Sequence, residues 1–235
     1  MRIRGERECT ECGTRWSYYE TGSVNCPACG SLRSVGVDER TEHTAGTASL
    51  NLTAAREALD RDDLREAVDV AKSACREYAR RVGFIHAGEL QPLDDTYLAA
   101  LELVHAADIV GRSFAPSEAE ELYFFSLLRG ADFGERPDAD AVPESMREAR
   151  GLAVAEAVDQ YRTDVRTYLG GEATGPVGQV LERLSDHARR VRALEGDVPV
   201  AEAETLVRAT RDLTRSLADD EDALATAQDR LDRLA

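Results

Sequence analysis

Residues 9–30 read Cys9-Thr10-Glu11-Cys12-Gly13-Thr14-Arg15-Trp16-Ser17-Tyr18-Tyr19-Glu20-Thr21-Gly22-Ser23-Val24-Asn25-Cys26-Pro27-Ala28-Cys29-Gly30. Two Cys-x-x-Cys pairs lie thirteen residues apart. Each such turn can aim two thiolates at one ion, and two turns complete the four-sulfur tetrahedron of a closed structural zinc site. A glycine follows each pair, at Gly13 and Gly30, where it tolerates positive φ and lets backbone N–H groups approach the sulfurs. Pro27 stiffens the second knuckle. The expectation is one structural Zn2+ per chain held by Cys9, Cys12, Cys26 and Cys29. Two disulfides are the competing pairing, and iron can take the same ligands.

The residues around the cysteines read as short strands. Thr14 to Tyr19 alternates and is β-prone, Glu20 to Ser23 has the composition of a hairpin tip, and Leu32 to Val37 offers a third strand. This is the layout of a zinc ribbon over residues 1–40, where the metal replaces a core that about forty residues cannot build alone. In a continuous strand Trp16 and Tyr18 share the face that covers the metal, and Tyr19 lies on the other. Arg15, Tyr19 and Arg33, outside the ligand positions, are the candidates for contact with a partner.

The composition is strongly acidic. Asp and Glu number 45 against 29 Lys and Arg, the net charge is −16, and Lys72 is the only lysine. An acid-rich surface with arginine in place of lysine suits a protein working in molar salt, where the Debye length falls to about 3 Å and self-repulsion is screened. The expected source is an extreme halophile, a haloarchaeon. The N-terminus lacks the apolar run of a signal peptide, and no segment supplies the roughly 18 apolar residues that span a bilayer, so a cytoplasmic location away from membranes is expected. Within residues 1–40, six arginines meet six carboxylates, so the remaining 195 residues carry the whole −16.

Residues 41–50 are polar and have the composition of a linker. Beyond them the pattern is helical. Ala55, Leu59, Leu64, Ala67, Val68, Ala71, Cys75, Tyr78 and Val82 recur mostly at three- or four-residue steps, with Asp62-Asp63 as a break. Further helices are predicted from about Asp94 to Val110, from a Ser117/Glu120 capping box through Leu128, and over Glu144–Leu169, Pro176–Leu194, Val200–Leu217 and Glu221–Leu234. The predicted fold class is therefore mainly α, a small N-terminal β zinc ribbon followed by an antiparallel α-helical bundle over residues 51–235.

No catalytic constellation is evident, and the chain is not expected to be an enzyme. Glu102-Leu103-Val104-His105 places a carboxylate and an imidazole on one helical face, but a di-iron bundle needs a second such pair. His86 with Glu89 and His105 with Asp108 could gather around one ion, although histidines among apolar neighbours commonly serve packing. Cys75, on a helix beside Ala74, reads as a buried small hydrophobe. There is no phosphate loop and no nucleophile elbow.

The knuckles Cys9-Thr10-Glu11-Cys12-Gly13 and Cys26-Pro27-Ala28-Cys29-Gly30, followed by helices, resemble the transcription factor B type of zinc ribbon. The whole chain is similar to haloarchaeal proteins that carry such a ribbon ahead of a helical region of unassigned function. The resemblance implies the same four metal ligands. In the general transcription factor the ribbon docks on RNA polymerase and cyclin-like repeats hold promoter DNA. Here the helices have the wrong sign of charge for gripping phosphate. Two function classes follow: a ribbon that docks on a protein or nucleoprotein machine, or a ribbon that binds nucleic acid unspecifically. High salt weakens the second, since log affinity falls by about 0.9 per phosphate contact for each log unit of salt. A ribbon serving only as a structural pin is the third possibility.

Overall fold

The computed structural model describes residues 1–171 and 173–234. Its N-terminal part holds five short strands, β1 (Arg2–Arg4), β2 (Glu6–Cys9), β3 (Arg15–Ser17), β4 (Ser34–Gly36) and β5 (Arg40–Glu42), with one helical turn, α1 (Tyr18–Thr21). The order β3-β2-β4 makes an antiparallel sheet, and β1 pairs with β5 beside it. Burial alternates along the sheet as the pleat requires. Arg7, Cys9, Trp16 and Ser34 face inward, while Glu6, Glu8, Arg15, Val35 and Val37 are on the other face.

The expected strand over Thr14–Tyr19 stops at Ser17. The chain turns helical through α1 and leaves on Gly22 at φ 62°, so the hairpin tip expected at Glu20–Ser23 is a helical turn with its exit. The turn also breaks the alternation: Trp16 packs with Cys9 and Cys26, but Tyr18 points away from the cysteines, edge-on to His43 with ring centroids 6.5 Å apart.

The remainder is helical: α2 (Thr53–Asp60), α3 (Leu64–Arg81), α4 (Asp95–Arg112), α5 (Glu118–Gly130), α6 (Arg147–Tyr168), α7 (Gly175–Ala193), α8 (Val200–Leu217) and α9 (Glu221–Asp232). The starts follow local chemistry. Asp63 accepts from the Glu66 N–H, Asp94 from the Tyr97 N–H, and Ser117 and Glu120 form the full capping box, each satisfying amides that the first turn leaves without partners. α3 and α8 are amphipathic and pack their apolar stripes inward. α4 and α6 are buried on nearly all sides, and consecutive helices pack against one another around them to close one core.

α6 looks polar in sequence yet runs through the interior, because its charges are matched. Glu102, fully buried on α4, accepts from Arg136 and Arg150, at 2.7 and 2.5 Å, and from the Tyr123 hydroxyl. Arg150 also reaches Glu204 on α8 at 2.7 Å. Arg162 donates to the Leu181 carbonyl of α7. A buried carboxylate is tolerable only with such partners.

A hairpin that sequence patterning did not indicate, β6 (Ile85–His86) and β7 (Glu89–Leu90), lies between α3 and α4. Residues 41–50, polar as a linker is polar, are held on both sides. β5 pairs with β1, the Thr44 and Ala45 N–H groups donate to the Ile85 carbonyl, and the Thr44 hydroxyl donates to Asp164 of α6 at 2.7 Å. Asp164 also accepts the Phe84 N–H at 2.6 Å. Leu50 and Leu52 are buried in the helical core. No helix among the described residues is long and apolar enough to cross a membrane.

Candidate metal centre

The two knuckles repeat one backbone pattern. The Gly13 N–H donates to the Cys9 carbonyl and the Gly30 N–H to the Cys26 carbonyl; the Cys9 N–H reaches Thr14 O and the Cys26 N–H reaches Ser31 O, all between 2.8 and 3.0 Å. The glycines sit at φ 73° and 72°, a left-handed conformation that side-chain-bearing residues avoid. Each knuckle therefore buries its first cysteine, Cys9 and Cys26, and leaves the second, Cys12 and Cys29, toward solvent.

All four sulfurs lie within 4.8 Å of one another. Cys9 Sγ is 3.6 Å from Cys29 Sγ and Cys12 Sγ is 3.5 Å from Cys26 Sγ. These separations are too long for disulfides, whose S–S bond is about 2.05 Å. They approach the spacing of about 3.8 Å that four sulfurs take when each is about 2.3 Å from a tetrahedrally held ion. The donor set fits a metal of thiolate preference, and no other cluster of three or more possible ligands occurs among the described residues.

The electrostatics of the cluster favour a cation at its centre. Hydrogen bonds from the Thr14 side chain, 3.3 Å away, and from its backbone pull the Cys12 thiol down to about 6. At Cys29 the Ser31 N–H favours the thiolate, but the Cys12 and Cys26 sulfurs outweigh it and hold the thiol up at about 12. Four sulfurs this close cannot all ionise alone, whereas a divalent ion lets all four become thiolates. The indole of Trp16 closes the inner side, its Nε1–H donating to the Ser23 carbonyl at 3.0 Å.

The three candidate contact residues part company. Arg15 stands on the exposed sheet face, paired with Glu8 at 2.6 Å, and Arg33 is exposed 3.6 Å from Glu11. Tyr19 faces the helical body: its hydroxyl meets Thr41 Oγ1 at 2.6 Å, and its ring lies on Gly5 and 4.8 and 5.7 Å, centroid to centroid, from His43 and His86.

The other sequence candidates disperse. Glu102 and His105 do not share a site, since Glu102 is buried among arginines while His105 sits 3.3 Å from Glu156. His86 joins His43 at the junction of ribbon and helices, 5.3 Å between centroids. Cys75 is fully buried, and burial pushes its thiol up to about 12, which agrees with a packing role.

A cavity of about 460 Å3 behind the sheet, lined by Arg2, Arg4, Arg7, Arg40, Ile3, Tyr18, Val24, Gly36 and Met1, was missed from sequence. The even count of arginines and carboxylates in residues 1–40 hid their separation in space.

Fold and site define a small ribbon with a four-cysteine, metal-competent centre fastened to a helical body. The chain belongs to DUF7117, a family of unknown function, which it matches over residues 1–231. No curated protein and no solved structure matches it.

Proposed function

We propose that the chain is a zinc-ribbon interaction protein. Its ribbon, held by one structural Zn2+ on Cys9, Cys12, Cys26 and Cys29, docks on a protein or nucleoprotein machine of transcription or translation, and the acidic helical body modulates that machine or recruits to it. Zinc is favoured over iron because a closed, redox-silent tetrahedron is what a ribbon without its own core requires. The composition supports a halophile's cytosol as the setting.

The observation that carries the docking reading is the uncovered face of the β3-β2-β4 sheet. Val35 and Val37 lie there 50 and 47 % exposed, with the Arg15–Glu8 pair on the same face. Apolar side chains bounded by compensated charge suit a protein surface. Arg15 and Arg33 each have a carboxylate partner, so this face offers little uncompensated charge to phosphate.

The test is capture of partners from native lysate in multimolar salt. Arg15→Glu combined with Val35→Ser should reduce recovery of the partner about tenfold while metal content and helicity stay unchanged. Equal recovery would favour the second reading, a ribbon that only pins the N-terminal region to the bundle, which the Thr44–Asp164 and Tyr19–His43 contacts support.

A further inference from the structure

A cavity of about 690 Å3 between α3, α4, α6 and α7 is rich in charge but largely neutralises itself: Asp108 meets Arg76 and Asp159 meets Arg192. The smaller cavity behind the ribbon sheet does the opposite. Four arginines line it, Arg2, Arg4, Arg7 and Arg40, with no Asp or Glu among the lining residues.

The way three of the four arginines are held, Arg4, Arg7 and Arg40, leaves their charge available among the described residues. Among the described residues Arg7 donates to Ser34 alone, through Nε to the hydroxyl at 3.0 Å and Nη2 to the carbonyl at 3.2 Å. Arg4 donates to the Gly36 carbonyl at 3.1 Å. Arg2 is the exception, ion-paired through Nε with Glu42 at 3.7 Å, and its Nη2 donates to the Arg40 carbonyl at 3.4 Å. Arg40 has its backbone engaged, by β1 and by Arg2. A guanidinium carries five N–H donors, so most remain for a ligand.

Two details of the fold keep this arrangement although it costs stability. The β1–β5 register sets Arg4 directly opposite Arg40, a like-charge pair that a sheet ordinarily avoids. Gly36 makes room for Arg4, since a Cβ there would lie 2.5 Å from the Arg4 Cβ. An acidic chain with net charge −16 thus concentrates repelling cations in one concave place.

Planar guanidinium groups match the oxygens of phosphate, and several together neutralise one. The walls between them are Ile3, Val24 and the ring of Tyr18, apolar surface of the kind on which a base packs. The volume lies within the range of small-ligand sites, about 300–1,000 Å3. We infer that this pocket binds a nucleotide, its phosphate held by Arg2, Arg4, Arg7 and Arg40 and its base against Tyr18 and Val24. The ligand chemistry is the same for a free nucleoside phosphate and for a nucleotide unit of single-stranded RNA. The site is independent of the docking face, which lies on the other side of the sheet.

Calorimetric titration of the full-length, metal-loaded chain at about 0.1 M salt tests this, with adenosine 5′-monophosphate, a short oligoadenylate, inorganic phosphate and an oligoglutamate as probes. Both adenine ligands should bind, and Arg40→Glu and Arg4→Ala should each weaken them by about tenfold to a hundredfold. Arg33→Glu, outside the pocket, should leave affinity within about twofold. Tighter binding of the oligoadenylate with a steep salt dependence supports RNA as the source, and equal binding supports a free nucleotide. Arg40→Gln, which removes no side-chain contact within the ribbon, serves if Arg4→Ala loses its metal. The inference is overturned if no adenine ligand binds, if Arg40→Glu and Arg40→Gln bind as well as the wild type, or if inorganic phosphate or oligoglutamate matches adenosine 5′-monophosphate.

Discussion

The ribbon and the helical body of this chain are held together by different physics. The ribbon's own buried hydrophobic cluster is Cys9, Trp16 and Cys26, whereas the body has one continuous core from Leu50 to Leu231 that includes most of the apolar residues of α4 and α6. Burial at roughly 25 cal/mol per Å2 supports the second and cannot support the first. The difference teaches where cohesion can come from: four cysteines placed to share a metal ion in one part and packed aliphatic and aromatic side chains in the other. Charge divides along the same line, balanced in residues 1–40 and −16 in the rest.

Removing a ligand should break the comparison most severely. Cys9→Ser or Cys29→Ser is expected to lose the metal, which in small structural sites contributes about 10–16 kcal/mol of apparent binding energy, and with it the ribbon's fold. Metal analysis should fall from one ion per chain to none, while helical circular dichroism changes little. A loss of helicity on the same scale would show that the body depends on the ribbon.

The converse change acts on the body alone. Arg150→Ala leaves Glu102 buried with one fewer cation and the Tyr123 hydroxyl without its guanidinium. Breaking a buried pair in this way costs about 3–5 kcal/mol, measurable by urea denaturation. The metal content should be unaffected.

Salt should separate the two regions more gently. Raising potassium chloride from about 0.1 M to about 3 M shortens the screening length from about 10 Å to under 3 Å. The Tm of the body is expected to rise by roughly 5–10 °C, corresponding to a few kcal/mol for a chain of this size. Cysteine–metal coordination should not follow the same dependence. A Tm that does not move would count against a halophilic setting.

The smallest expected effect lies at the junction of the two regions. His43 is held below its ordinary value of 6.5 by burial, and further by His86 and the N-terminal amine nearby. Its Nδ1 accepts the Ala87 N–H at 3.3 Å, and its ring sits against Tyr18, Tyr19 and His86. Between 6.5 and its lower folded value, the unfolded chain binds the additional proton, so stability rises with pH through that window and falls on acidification. His43→Gln should flatten this part of the Tm-against-pH curve. His187, lowered by burial between neighbouring arginines, would leave a residual slope.

What could be read from the sequence was local. The cysteine spacing and the two glycines specify the knuckles within a few residues, and Asp63, Asp94 and Ser117 announce helix starts through bonds spanning three residues. What could not be read joins distant residues. β1 and β5 pair across about forty positions with three-residue strands, Arg-Ile-Arg and Arg-Thr-Glu, in which Ile3 is the one apolar residue, too short a pattern to announce a strand. Glu102 and Arg150 look like surface charges until helices forty-eight positions apart bring them together. The arginine pocket is hidden for the same reason, since composition records charge but not which side of a sheet carries it. Tyr18 and Tyr19 mislead because a strand gives way to a helical turn between Ser17 and Tyr18, which reverses the expected facing.

The position of Asp164 has a practical consequence for dissecting the molecule. One carboxylate, near the C-terminal end of α6, receives both the hydroxyl of Thr44 and the amide of Phe84, so it clasps the segment leaving the ribbon and the hairpin before α4 at a single point. A fragment ending at residue 40 would split β5, strand partner of β1, and abandon that clasp. Fragments that keep residues 1–49 together retain both strands, and a protease acting on the intact chain should find the polar stretch 41–47 resistant despite its composition.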